Sequence, residues 1–254
     1  VTKTWNKTNG GNWTTASNWN PSGVPTATDH VLIPVDQSAP ITRSVTTNNE
    51  IISLKGLTID GNVNFTFHPT WTQFCTLNIT GVFVVNSGKT FTAGADDIGR
   101  LDVTLASGST GTVVGTVYIN SYTSGTTYDR TFTNAGNLTI TSSGLITGQN
   151  TANFTQSANG TLQIANAAGI TTTGATGAIQ VPSTRTYSTG ANYIYNGANQ
   201  NIGNGLPTNL TGSLTINASG TVTLENAKTI ANGGNVFITS GTFATVNRLT
   251  MTST

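Results

Sequence analysis

The chain has 254 residues, a formal net charge of +1 and only 7% charged residues, against about 25% in a typical soluble domain. It contains no basic patch and no apolar run of the ~18 residues that a membrane helix needs, so neither a nucleic-acid partner nor a membrane span is predicted. The 52 Thr, 29 Asn and 29 Gly residues favour strands and turns, and no segment has a sustained helical apolar stripe. The composition therefore predicts an all-β protein.

Residues 1–50 form the first predicted region, which is rich in aromatic residues and proline. Trp5, Trp13 and Trp19 lie here, and the repeated phrase that marks the rest of the chain is absent. Large aromatic side chains bury roughly 150–250 Å² each, and a repeat protein must cover its terminal repeat. We therefore predict an N-terminal capping region. A platform on which carbohydrate rings stack is the alternative.

From residue 51 onward the chain repeats a short phrase: an aliphatic residue, any residue, another aliphatic, a few small polar residues with Gly, and an apolar residue. Several consecutive copies start at intervals of about 20 to 24 residues, which is typical of a solenoid whose coils bury their apolar faces against each other. Residues 51–254 are therefore predicted to form a parallel β-helix of roughly nine or ten coils. The copies start at Leu57, Leu77, Val84, Leu101, Leu138, Leu162, Leu214 and Val236.

Two parts of the predicted helix depart from this period. Between Leu101 and Leu138 the segment 118–128 is predicted to protrude as a loop or an extra strand pair. Between Leu162 and Leu214 the pattern is degraded over about two coils. Any specific site is expected in these two stretches, because the regular repeat itself favours a scaffold.

The C-terminal residues 248–254 look like one more coil that stops short without a cap signature. An uncovered coil exposes backbone donors and acceptors that can pair with another chain. We therefore expect either that the natural protein continues or that this end docks onto other copies of the chain or onto surface proteins, with Leu249 and Met251 covered by the partner.

Two segments of the sequence carry a family resemblance. The first comprises Trp13, Asn18, Trp19, Gly23, Pro25, Asp29 and Val31 to Ile33, and the second runs from Tyr187 through Thr223. The first resembles the opening motif of large secreted surface proteins built on parallel β-helices, and the second resembles repeats of adhesin-like proteins of the Bacteroidetes, typically exported by the type IX secretion system. The resemblance implies an extracellular or cell-surface right-handed parallel β-helix for adhesion or spacing, and it carries over no catalytic residues.

The strongest candidate for chemistry is an acidic cluster formed by Asp96, Asp97 and Asp102, with Arg100 between them. Paired carboxylates could bind calcium or serve a polysaccharide-active enzyme, which are common uses of clustered acids. A solvated turn is the alternative, and the calcium-loop signatures are absent. We therefore predict no catalytic residue, no cofactor and no metal beyond this weak calcium candidate.

Two further ligands, carbohydrate and ice, would each require a specific arrangement of residues. Carbohydrate binding without catalysis would require Tyr187, Tyr193, Tyr195 or Trp71 to be exposed in a row. Ice binding would require a regular ladder of small hydroxyl residues, yet the central position of the phrase varies. It is occupied by Thr139, Thr215, Asp102, Asn78, Gln163 or Phe237.

The sequence thus predicts a non-catalytic structural or adhesive protein of the cell surface. A polysaccharide-active or carbohydrate-binding β-helix is the first alternative, and ice binding is a lesser one.

Overall fold

The computed structural model describes residues 1–44, 49–67, 74–94, 100–121 and 129–252. The chain is nearly all β, with 52% strand, and its parallel strands stack into a β-solenoid of about eight turns. This confirms the predicted fold class. Within the described ranges, the sole helical segment is a 3₁₀ turn at Ala16–Asn18. The described part of the chain contains no helix with the length and apolar character needed to cross a bilayer.

The strands follow one another with short connections. In the N-terminal half they are β1 (Thr2–Trp5), β2 (Gly11–Asn12), β3 (Trp19–Asn20), β4 (His30–Ile33), β5 (Ile41–Arg43), β6 (Glu50–Ile59), β7 (Val63–Phe67), β8 (Phe74–Val85), β9 (Thr90–Ala93), β10 (Arg100–Leu105), β11 (Thr110–Val113) and β12 (Thr116–Ile119). In the C-terminal half they are β13 (Thr131–Asn134), β14 (Asn137–Ile140), β15 (Leu145–Gly148), β16 (Asn153–Gln156), β17 (Thr161–Ile164), β18 (Ile179–Gln180), β19 (Arg185–Tyr187), β20 (Asn192–Tyr195), β21 (Gln200–Asn201), β22 (Asn209–Leu210), β23 (Ser213–Thr223), β24 (Lys228–Ile230), β25 (Asn235–Ala244) and β26 (Leu249–Met251).

Three parallel ladders run along the solenoid. Face A consists of the first halves of β6 and β8 followed by β10, β13, β16 and β19. Face B consists of β1, β4, the second halves of β6 and β8, then β11, β14, β17, β20, and the first halves of β23 and β25. Face C is the seven-stranded sheet β2-β5-β7-β9-β12-β15-β18. A separate three-stranded sheet, β22-β24-β26, lies near the C-terminus.

The length of a turn varies along the ladder of face B. Thr161 pairs with Asn192 and Tyr193 pairs with Leu214, so the first of these two turns is distinctly the longer. From β6 onward the described part of face B holds eight strands, fewer than the nine or ten coils predicted for residues 51–254. The difference arises because most turns are longer than the interval between copies of the phrase, since their loops differ while their strands stay in register.

The repeated phrase occupies two faces rather than one. Leu138, Leu162 and Leu214 lie in one buried column of face B, whereas Leu77 and Leu101 are buried on face A. Each inward aliphatic side chain contributes about 1.5–3 kcal/mol relative to exposure. The phrase therefore marks a strand that buries alternate residues, and it does not mark one repeat of the chain.

An aromatic spine runs through the interior from the N-terminus to β19. Consecutive ring centroids lie 4.7 to 6.1 Å apart, mostly edge to face, within the range in which aromatic pairs attract each other. The spine consists of Trp5, Trp19, Trp13, Phe65, Phe91, Phe83, Phe132, Phe154 and Tyr187.

Residues 1–50, predicted as a capping region, supply the tryptophan cluster and also strands of the same ladders. Strand β4 pairs in parallel with both β1 and β6, so face B is continuous across residue 50. Strand β3 pairs antiparallel with β1 and covers its outer edge. Trp5, Trp13 and Trp19 are fully buried beneath this edge, and the Trp19 indole donates to the Trp13 carbonyl at 2.8 Å.

Candidate functional site

The acidic cluster predicted from sequence is only partly within the described residues. Asp96 and Asp97 lie outside them. Asp102 lies on face A, where its Oδ1 accepts a hydrogen bond from the Thr131 backbone N–H at 2.8 Å. Across the described ranges, no three His, Cys, Asp or Glu side chains converge as metal ligands would. Asp102 thus links one rung of face A to the next.

The tyrosines that carbohydrate binding would require on the surface are turned inward. Tyr193 and Tyr195 are fully buried and Tyr187 packs against the core. Their hydroxyls donate to the carbonyl oxygens of Ser188, Ile202 and Thr171 at 2.8, 2.9 and 3.2 Å. Burial raises the pKa of all three phenols. They therefore do not form an exposed row, and Trp71 lies outside the described residues.

The tryptophans and the single cysteine are also structural. Trp5, Trp13 and Trp19 are buried in the spine, so they present no face on which a sugar ring could stack. Burial, together with the Glu50 carboxylate nearby, raises the pKa of the Cys75 thiol to about 12. A thiol with so high a pKa is a poor nucleophile because almost none of it is ionised near neutral pH.

His30 lies on face B, half-buried, with its Nε2 2.8 Å from the Thr58 hydroxyl. Desolvation lowers the pKa of this imidazole. His68 lies outside the described residues. Nothing in the described surroundings of His30 provides the cluster of ligands that a zinc ion needs.

The irregular stretch between Leu162 and Leu214 contains a loop at 171–177 that projects from the solenoid. Its anchor is Arg185, whose buried guanidinium donates to the Thr171 hydroxyl at 2.6 Å, to the Val181 carbonyl at 2.9 Å and to the Gly174 carbonyl. Desolvation lowers the pKa of this guanidinium. Because these donors are bonded to oxygens of the loop and of Val181, Arg185 fixes the shape of the loop and is not available to a ligand.

A polar pocket of about 400 Å³ lies beside this loop. Its one acid is Glu225, whose carboxylate accepts hydrogen bonds from the Asn201 amide at 3.0 Å and the Gly203 backbone N–H at 3.2 Å. The carboxylate thus fixes the turn at 201–203. The pocket is lined by Ala168, Thr171, Thr176, Asn201, Gly203, Asn204, Glu225 and Asn226.

Five described rungs of face A, from β8 to β19, carry a regular outward surface. Two adjacent columns of small polar side chains run across five rungs, and no bulge interrupts the pairing between those rungs. The first column is Thr76, Asp102, Thr131, Asn153 and Thr184; the second is Asn78, Thr104, Thr133, Thr155 and Thr186. Neighbouring strands are about 4.8 Å apart, and alternate residues of a strand are about 6.6 Å apart. These spacings define a two-dimensional lattice of side chains.

Most side chains of this lattice make no hydrogen bond to another described residue. Over the described residues, the hydroxyls of Thr104, Thr133 and Thr155 have no hydrogen-bond partner. Asn153 is only 9% exposed. Its Oδ1 accepts the Thr184 N–H at 2.9 Å, and its amide nitrogen has no partner among the described residues. Face A therefore offers several uncommitted donors and acceptors in fixed positions.

The outward columns of the other faces are less regular. The central column of face B alternates threonine with larger side chains, among them Val84, Gln163, Ile194 and Phe237. Face C has Tyr118 and Gln180 in the corresponding row. Small polar residues therefore fill both outward columns over the five rungs of face A from β8 to β19, whereas the preceding strand β6 continues the first column with Ile51, which is 66% exposed.

The repeated phrase does not reveal the columns of face A, because most copies of the phrase lie on face B. The detectable signal was the recurrence of a small polar residue, a large buried residue and a threonine. It occurs at 131–133, 153–155 and 184–186.

Comparison of the chain with protein families, with curated proteins and with solved structures finds no match.

Proposed function

We propose that the chain is a non-catalytic scaffold of the cell surface that presents its flat faces for adhesion. The observation that carries this proposal is that two acids, Asp102 of the predicted cluster and Glu225 of the pocket beside the 171–177 loop, each hold neighbouring parts of the solenoid together. Asp102 accepts from Thr131, and Glu225 accepts from Asn201 and Gly203. A carboxylate whose oxygens accept hydrogen bonds from neighbouring turns is held in one position, which suits a structural link.

The architecture supports a load-bearing role. Each turn is joined to the next by parallel hydrogen bonds on up to three faces, and the buried side chains form one continuous core. In such a protein, stability is approximately the sum of the turns and of their contacts with neighbours. A rod of this kind resists local damage because neighbouring turns support each other.

The extracellular location rests on the resemblance of residues 13–33 and 187–223 to secreted adhesin-like proteins of the Bacteroidetes. The core is compatible with that location because its one thiol, Cys75, is buried and needs no disulfide partner. Export through the type IX system is part of the same proposal. Glycans and other surface proteins are the partner classes it suggests.

The mechanical part of the proposal is tested by pulling single molecules from their two ends. We expect extension in successive steps of one turn, each releasing about 26 residues, or roughly 90 Å of chain. A single all-or-none extension at low force would contradict a load-bearing rod.

The non-catalytic part is tested by incubating the protein with a panel of acidic and neutral polysaccharides and assaying new reducing ends and unsaturated products. We expect no product. Product that forms with the unaltered chain and disappears with Asp102→Asn would overturn the proposal in favour of a polysaccharide-active enzyme.

A further inference from the structure

We propose that face A binds the surface of ice through its two columns of small polar side chains. This inference rests on the proposed adhesive, non-catalytic role and names the surface to which the rod adheres. It depends on three features of face A: the regular spacing of the columns, the uncommitted hydrogen-bonding groups, and the absence of bulky or unpaired charged side chains in the columns.

The first feature is the two-dimensional repeat. Along the solenoid axis the columns repeat about every 4.8 Å, the separation of parallel strands, which lies close to an oxygen repeat of the hexagonal ice lattice. Threonine is stiff at χ1 because its β-carbon is branched. Thr104, Thr133, Thr155 and Thr186 occupy paired positions on successive strands, so their hydroxyls are expected to repeat with the backbone.

The second feature is that the lattice has free hydrogen-bonding capacity. The Thr133 and Thr155 hydroxyls have no partner among the described residues, and each adjoins a methyl group of the same side chain. Asn153, nine-tenths buried between Thr131 and Thr184, has its amide nitrogen unpaired within the described chain. Holding a water molecule in one position costs entropy. A rigid array that already orders water lowers this cost when the water joins a crystal.

The third feature separates ice from other occupants. The columns contain no aromatic side chain, so a sugar ring would find no stacking partner there. Their one charged residue, Asp102, accepts the Thr131 N–H. Over these five rungs they also lack the large apolar side chains that the core of a protein interface requires; the nearest one along the first column is Ile51, on the preceding strand β6. An ordered water lattice is the occupant whose chemistry and period agree with the face.

The test compares the whole chain with two matched variants from one turn of the solenoid. Thr133 lies in the second column of face A, and Thr139 lies in the central outward column of face B. Both are half-buried threonines in the middle of short strands. Thr133→Tyr places a bulky ring in the lattice of face A, and Thr139→Tyr makes the same change on face B. Thr155→Tyr is a second face A variant.

The readouts are adsorption of the fluorescently labelled protein to a single ice crystal, and the gap between the melting and freezing temperatures of ice in the protein solution. Far-UV circular dichroism checks that each variant is folded. We expect the unaltered chain and Thr139→Tyr to adsorb and to shape the crystal. We expect Thr133→Tyr and Thr155→Tyr to lose most of both effects.

Failure of the folded, unaltered chain to adsorb would overturn the inference, as would equal adsorption by Thr133→Tyr, Thr155→Tyr and Thr139→Tyr. Binding to microcrystalline cellulose or chitin that Thr133→Tyr abolishes, without binding to ice, would replace ice with a crystalline polysaccharide. None of these results would contradict the scaffold proposal, which fails only if the protein proves catalytic or does not bear load.

Discussion

The aromatic spine predicts that one buried ring supports a large part of the stability of its turn. Phe154 is fully buried, stacks on Phe132 with centroids 6.1 Å apart and packs against Tyr187 at 5.9 Å. Removing a buried phenylalanine side chain costs about 3–5 kcal/mol, because apolar contacts are lost and a cavity is left. We therefore expect Phe154→Ala to lower the free energy of unfolding by about 4 kcal/mol.

The matched control is Phe237→Ala. Phe237 is 50% exposed on the outer side of β25, and exposed substitutions usually change stability by less than about 0.5 kcal/mol. Both variants would be unfolded in urea and followed by far-UV circular dichroism. The slope with denaturant should stay unchanged, because a change in slope signals a change in the denatured state or in cooperativity.

Pairing Phe154→Ala with Phe132→Ala isolates the contact between the two rings. We expect a coupling energy of about 0.5–1.5 kcal/mol, the range for aromatic pairs beyond their buried area. The idea that the spine is a continuous support would be refuted if Phe154→Ala cost no more than Phe237→Ala, or if the double mutant showed no coupling.

Three further predictions concern buried polar groups. Burial acts to raise the pKa of the Asp29 carboxyl, but the hydrogen bonds from Thr26 and the ammonium of Val1 together lower it. The Asp29 carboxylate therefore stabilises the folded protein fully above the ordinary carboxyl pKa of about 3.9, and this stabilisation is lost as the pH falls through the folded-state pKa. Asp29→Asn should be less stable at neutral pH and flatten the acid limb of urea unfolding; an acid limb equal to that of the unaltered chain would argue against this. Arg185→Met should lower the free energy of unfolding by about 3 kcal/mol and speed hydrogen exchange at 171–177. Unchanged exchange there would show that the loop keeps its conformation without Arg185. Cys75 should resist iodoacetamide in the folded protein and react in urea, and prompt labelling of the folded chain would contradict its burial.

The fold could be predicted from the sequence because the information needed is local. Alternation of buried aliphatic residues over a short segment, as at Leu138 and Ile140, defines a strand whatever loop follows it. The length of each turn could not be predicted, since the loops between strands vary and the same phrase occurs on two faces. The long turn between Thr161 and its partner Asn192 has no counterpart in the phrase.

The candidate site was less predictable because it depends on register between distant strands. Tyr193 looked available as a binding residue, but the pairing places it in the buried column between Leu162 and Leu214. Conversely, Thr133 and Thr155 lie a full turn apart in the chain and become neighbours only when β13 and β16 pair. Side chains that share a face of a solenoid are recognised once the rungs are aligned.

The tryptophan cluster also makes the two ends of the molecule optically different. Trp5, Trp13 and Trp19 lie together at the N-terminal end of the spine, whereas circular dichroism samples the strands of every turn. In a Trp71→Phe variant, unfolding that starts among the C-terminal turns would thus reduce the dichroism while the emission of these three indoles stays native. The separation between the two melting curves would measure directly how many turns open before the N-terminal end does.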